Sequence, residues 1–78
     1  MKQPKFYVGQ SVVVHRGGKT EMYVISRASI ENDKWIYYSV EGVEVTYLHD
    51  SDIILYHHEG EWHVNNGGEP PVVELKFV

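Results

Sequence analysis

The chain has no cysteine. Disulfide staples and thiolate metal ligands are therefore excluded, and a reducing compartment is the matching expectation. Alanine is nearly missing as well, Ala28 being the sole example. No apolar run approaches the ~18 residues that a membrane helix needs. No segment repeats apolar residues at i, i+3, i+4 and i+7 over a helical length. The opening Met1-Lys2-Gln3-Pro4-Lys5 leads into no apolar stretch, so no signal peptide, no membrane contact and a cytoplasmic location are expected. Positive charge is also scarce: 7 Lys+Arg stand against 11 Asp+Glu, a net charge of −4. Nucleic-acid binding rests on neutralising phosphate, so an acidic domain is a poor default candidate for it.

What the chain does contain is 78 residues rich in aromatic and β-branched side chains, with six Tyr and two Trp. That length allows one domain, 1–78. A domain of this size buries roughly 60–65% of its unfolded surface, so each large side chain matters. The composition favours strands.

Residues 1–5 read as a loose basic tail, 6–56 as a barrel and 57–78 as an extension. The first strand is expected at 11–15. Arg16-Gly17-Gly18-Lys19-Thr20 is a turn, since paired glycines supply positive φ. A second strand follows over 21–27, and 28–34 is a polar connection. Trp35 to Leu48 forms a hairpin turning at Glu41-Gly42, and His49-Asp50-Ser51-Asp52 is a polar corner before a fifth strand at 53–56. Val12, Val14, Met22 and Val24 are expected to point inward.

The hairpin is the best-patterned stretch. A two-residue loop at Glu41-Gly42 sets Val40 across from Val43, Tyr38 from Val45 and Ile36 from Tyr47. These six side chains share one face, which is expected to face the core. Trp35, Tyr37, Ser39, Glu44, Thr46 and Leu48 take the other. A type I turn with a bulge instead pairs Ser39 with Val43, Tyr37 with Val45 and Trp35 with Tyr47.

In the extension, His57 to Val64 is expected to be a second hairpin turning at Glu59-Gly60. Residues 65–71, with their Gly and Pro pairs, are a linker. Val72-Val73-Glu74-Leu75-Lys76-Phe77-Val78 alternates as a last strand, either closing the barrel or pairing with a second copy to make a homo-oligomer. The order of elements predicts an all-β, SH3-like small barrel of about five strands with a C-terminal hairpin and strand extension.

The segment from Phe6 to Val24 resembles a family of small uncharacterised bacterial proteins with the pattern F-x-V-G-D-x-V, a strand, Ser-Gly-Gly-Pro and Met-Thr-Val. Phe6, Val8, Gly9, Val12, Gly17, Gly18, Met22 and Val24 match. Gln10, Arg16 and Lys19-Thr20 depart from it. The resemblance covers roughly a quarter of the chain and implies an SH3-like fold without a function. A looser resemblance is to the type II dihydrofolate reductases, SH3-like barrels that tetramerise around a pore lined by Val-Gln-Ile-Tyr. The matching place is Val45-Thr46-Tyr47, which lacks the glutamine; the chain's glutamines are Gln3 and Gln10. This resemblance implies a small enzyme at an oligomer interface.

Three constellations could carry function. Trp35 and Tyr37, with Tyr23 and the nearby carboxylate of Glu44, could form an aromatic platform for a peptide or a cation; the competing reading places these rings in the core. Arg16, Lys19, Arg27 and Lys34 could gather beside Tyr23 and Trp35 to hold single-stranded nucleic acid, or could be solvated loop charges. A hairpin at Glu59-Gly60 puts His58, Glu61 and His63 on one face, where imidazole and carboxylate could share a divalent metal; the alternative is a solvated tip. The adjacent Ser51, His49 and carboxylates cannot converge as a catalytic set, because a nucleophile and its base must come from separate elements. The expected role is a small non-enzymatic binding module or oligomeric subunit without a cofactor, meeting a protein or peptide through aromatics or an added strand. Single-stranded nucleic-acid binding and an interfacial enzyme are the alternatives.

Overall fold

The computed structural model describes residues 3–65. Its strands are β1 (Ser11–Arg16), β2 (Lys19–Val24), β3 (Arg27–Glu31), β4 (Lys34–Glu41), β5 (Glu44–Leu48), β6 (Ile53–His58) and β7 (Glu61–Val64), with a 3₁₀ turn at Asp50–Asp52 between β5 and β6. They form a four-stranded sheet ordered β2-β1-β6-β7 and a three-stranded sheet ordered β3-β4-β5, with every pairing antiparallel. Ile25 and Ser26 carry the chain from one sheet to the other, so β2 and β3 act as one bent strand shared between them. This is the topology of a small SH3-like barrel.

Local chemistry explains the turns. Gly17 and Gly18 both have positive φ (60° and 78°), which a two-residue type I′ loop needs to match the twist of β1 and β2. That loop pairs Arg16 with Lys19, hence Val12 with Tyr23 and Val14 with Glu21. Once Val12 and Val14 are buried, Tyr23 and Ile25 must share their side. Met22 and Val24, expected inward, therefore lie on the outer face and are 62% and 48% exposed. At the bend, the Ile25 amide donates to the Gln10 carbonyl (2.9 Å), and the Ser26 amide to the Tyr38 carbonyl (2.7 Å). The bend shifts the alternation by one residue, so Ile25 and Ala28 both face inward. Residues 28–31, expected as connection, belong with Arg27 to strand β3; the turn is confined to Asn32 and Asp33, both at positive φ.

The core lies between the sheets and comprises Phe6, Val12, Val14, Ile25, Tyr37, Leu48, Ile53 and Tyr56, with Tyr23, Ala28 and Trp35 packed against it. Phe6 joins the two sheets: its ring meets Tyr37 of β4 edge-on at 5.2 Å and Tyr56 of β6 at 5.5 Å. Edge-to-face contact places positive ring edges against negative ring faces. The Tyr37 hydroxyl accepts hydrogen bonds from the Lys5 and Phe6 amides at 3.0 and 3.3 Å. Lys5, expected in a loose tail, is thereby pinned, and its ammonium lies 3.3 Å from Asp50. Buried Gln10 is satisfied on both ends, accepting from the Tyr7 amide and donating to the His57 carbonyl.

The β4–β5 hairpin departs from both expected registers. Glu41 pairs with Glu44, Val40 with Val45, Tyr38 with Tyr47 and Tyr37 with Leu48, leaving Gly42 and Val43 as the loop. Gly42 has φ +61° while Val43 is not at positive φ, so the glycine occupies the first loop position, as a type II′ loop demands. The face memberships hold, but their orientation is the reverse of the expectation. Tyr37, Ser39 and Leu48 are buried at 1%, 3% and 0% exposure, whereas Val45 and Tyr47 are 55% and 60% exposed.

The β6–β7 hairpin matches its expected pairing: Tyr56 lies opposite His63 and His58 opposite Glu61 around Glu59-Gly60. After β7, the Asn65 amide nitrogen donates to the Asp50 carbonyl, the Asp50 carboxylate and the Ile53 carbonyl at 2.7–3.1 Å. The strand expected at 72–78 lies outside the described residues.

Candidate functional site

The outer face of the three-stranded sheet is built by its register. Arg27, Tyr38 and Tyr47 form one row across β3, β4 and β5. Val40 and Val45 form the next row towards the hairpin tip, and Ser29 and Ile36 lie in the row on the other side. Strand alternation keeps Ile36, Tyr38 and Val40 on this side because Tyr37 and Ser39 are inside. The Tyr38 and Tyr47 rings meet at 5.0 Å and 84°, and the Arg27 guanidinium stands 5.9 Å from the Tyr38 ring centre. The Tyr38 hydroxyl donates to Glu31 at 3.0 Å. That bond raises its pKa, because the phenol must give up the donated proton to ionise. Arg16 supports the face from the side: it donates to the Tyr47 carbonyl at 2.7 Å and sits 3.6 Å from Asp52.

The result is an apolar, tyrosine-centred surface with acidic edges. Residues 27–48 carry Arg27 and Lys34 against Glu31, Asp33, Glu41 and Glu44. The surface offers apolar area, two ring faces and, beside the Tyr38 hydroxyl, the Glu31 carboxylate suited to a cationic flank.

The residues expected to form a platform are placed differently. Tyr37 is a core residue, and burial pushes its phenol pKa up. Trp35 and Tyr23 are half-buried against the core, and the Tyr23 hydroxyl donates to Glu21. Glu44 is exposed at the tip, opposite Glu41. These four therefore do not make one exposed platform; the outward-facing rings are those of half-buried Tyr38 and exposed Tyr47. The hairpin alternation put those two on one face, but carried no sign of which face was outward.

The basic residues do not gather. Arg16 is committed to Tyr47 and Asp52, while Lys19 lies opposite it at the β1–β2 turn. Arg27 and Lys34 lie at opposite ends of the β3–β4 ladder, Lys34 across from Glu31.

Among the described residues, no three His, Asp or Glu side chains stand where they could hold a metal. His58, Glu61 and His63 share a face, yet His58 engages the Tyr7 hydroxyl (3.5 Å) and Glu59 (3.5 Å). His63 stacks on Tyr56 and turns Nε2 towards the His58 carbonyl. The expected metal set is thus taken up by ring packing and local hydrogen bonds. Val45 and Tyr47, the position matched to the reductase pore motif, are on the exposed face, and Gln10 is buried in the barrel. No helix among the described residues is long and apolar enough to cross a membrane.

No family model, curated protein or solved structure matches the chain.

Proposed function

We propose that the chain is a small non-enzymatic binding module whose partner is a protein or peptide segment, apolar at its centre and basic at its flanks. The observation carrying this reading is the outward orientation of the Tyr38, Val40, Val45 and Tyr47 surface. Such side chains are more valuable inside a domain this small, and a contiguous exposed apolar patch generally marks a contact surface. Tyrosines offer large, rigid contact area at low entropic cost. Glu31, which accepts from the Tyr38 hydroxyl, supplies charge complementary to a basic flank, which favours encounter and orientation more than affinity.

The test is a peptide array of apolar-basic segments probed with the full chain and with Tyr47→Ala and Val45→Asp. Binding that falls at least tenfold in both variants, with stability unchanged, supports the module. Equal binding by all three proteins removes this face from the function.

The Arg27-Tyr38-Tyr47 row favours a second reading, in which bases of single-stranded nucleic acid stack on the rings. Its acidic surroundings oppose that reading. Absence of oligonucleotide retention at low salt ends it, while salt-sensitive retention lost in Arg27→Ala supports it.

A further inference from the structure

On the four-stranded sheet, strand alternation sends every charged residue to the same side. Strands β1, β2, β6 and β7 contain Arg16, Lys19, Glu21 and Glu61 as their only Asp, Glu, Lys or Arg. Arg16 alternates with Val12 and Val14, Lys19 and Glu21 with Tyr23, and Glu61 with His63, which stacks on Tyr56. That is the core side, where the charged residues emerge at strand ends. The outward side is left without charge. Its central row is Met22, Val13, Leu55 and Val64, running across β2, β1, β6 and β7. Beside this row Val24 pairs with Ser11, and His57 with Trp62, the last two rings meeting edge-on at 5.1 Å. On the other flank His15 bonds Thr20 at 2.8 Å. Met22, Val24 and Val64 are exposed. An antiparallel sheet with one face on the core ordinarily turns polar residues to solvent. The chain is 23% charged, so an outer face of this size with no charge departs from its own composition.

We propose that this face is a self-association surface, on which two copies of the chain stack their four-stranded sheets about a two-fold axis. Charge selects the occupant. A partner recognised through ionic groups finds no counter-charge here. Two copies, each with a net charge of −4, repel one another in general. This sheet face is where they approach without setting like charges together. A two-fold contact needs a patch complementary to itself, and an uncharged row of Met, Val and Leu side chains presents the same chemistry from both sides. The outer face of the three-stranded sheet, by contrast, carries Arg27 over Tyr38 and Glu31 beside it. Depletion of charge with enrichment of Met and aromatic residues is the composition of interface cores, and homodimer interfaces are the more apolar kind. Sheets stacked in this way lie about 10 Å apart with their strands about 30° out of line. Size sets the strength. Four strands spaced ~4.8 Å apart and three rows spaced ~6.8 Å apart give a patch of roughly 400 Å² per copy. A standard interface buries about 800 Å² per partner, so the dimer is weak, reversible and concentration-dependent. The face lies on the sheet opposite the tyrosine surface, and the inference stands without the proposed binding function.

The test is sedimentation equilibrium of the full chain from micromolar to millimolar concentration, at low and at high salt. The expected result is a monomer–dimer equilibrium that tightens as salt screens the repulsion between two acidic copies. Met22→Lys makes the chain less acidic and so weakens the general repulsion, yet it places an ammonium inside the contact, where burial of an unpaired charge is costly. The dimerisation constant falls at least tenfold. Val64→Glu gives the same loss from the far end of the row. Tyr47→Ala, on the other sheet, leaves the constant unchanged. Both face positions are exposed, so thermal midpoints of the dilute monomers stay close to that of the natural chain and show that the variants fold. Association that weakens with salt, is lost in Tyr47→Ala or survives both face variants overturns the proposal. A monomer throughout the range overturns it as well. Peroxide oxidation of that monomer then names the other occupant: a protected Met22 points to a segment of the same chain, and a reactive Met22 to a different protein.

Discussion

Replacing Tyr37 by Phe removes one oxygen and leaves two backbone donors without their acceptor. The Tyr37 hydroxyl takes the Phe6 amide in a buried setting and the Lys5 amide in a half-buried one. Water can replace the hydroxyl at Lys5 more readily than at Phe6. One buried, unsatisfied amide costs about 1–3 kcal/mol. The edge-on contact with Phe6 survives, because the ring is unchanged. The expected loss is therefore about 1–2 kcal/mol, or roughly 4–16 °C in Tm for a domain of this size. Urea unfolding followed by tryptophan fluorescence measures it as a lower midpoint at unchanged slope. Tyr38→Phe is the matched control: its hydroxyl meets Glu31 in solvent, so the change stays within about 0.5 kcal/mol. A neutral Tyr37→Phe, or a Tyr38→Phe that costs more, refutes the assignment of the two faces.

Three further outcomes follow from local geometry. Gly42→Ala costs about 1–2 kcal/mol in thermal unfolding, because φ +61° is left-handed although the space around it is open; Gly42→Asn costs less. Asn65→Ala removes three hydrogen bonds but leaves the Asp50 carboxylate with the Lys5 ammonium and the Asp50 carbonyl with the Ile53 amide, so it lowers stability by about 0.5–1.5 kcal/mol in urea titration. Burial raises the phenol pKa of both Tyr37 and Tyr56 above the ordinary 10.0. At higher pH the unfolded chain releases these protons first, so their stabilising contribution is complete below pH 10 and falls away as pH rises through the folded-state values. Unfolding midpoints measured across that range fall with pH, and fall less steeply in Tyr37→Phe.

Turn chemistry was the most legible part of the sequence. Glu59-Gly60 gave the β6–β7 register, because a two-residue loop leaves little choice. Gly17-Gly18 carried the same information for β1 and β2: a two-residue loop there forces Met22 and Val24 outward once Val12 and Val14 are inside. At Glu41-Gly42 the glycine had to be placed first in the loop, which moved the pairing by two residues. The face of that hairpin was not legible from pattern alone. Its more apolar side reads as core, but Tyr37 is accommodated inside by amides of Lys5 and Phe6, more than thirty residues away. Strand alternation cannot show such a long-range partner. For the same reason pattern alone does not show that Tyr38 and Tyr47 face outward while Tyr37 is in the core and Trp35 and Tyr23 pack against it.

The orientation of the β4–β5 hairpin decides both the core and the proposed binding face. Photochemically induced nuclear polarisation of tyrosine, with an excited dye that reaches only accessible rings, tests it in one experiment. Tyr47, 60% exposed, is expected to give a strong signal, and Tyr37, 1% exposed, none. A polarised Tyr37 with a silent Tyr47 contradicts the account.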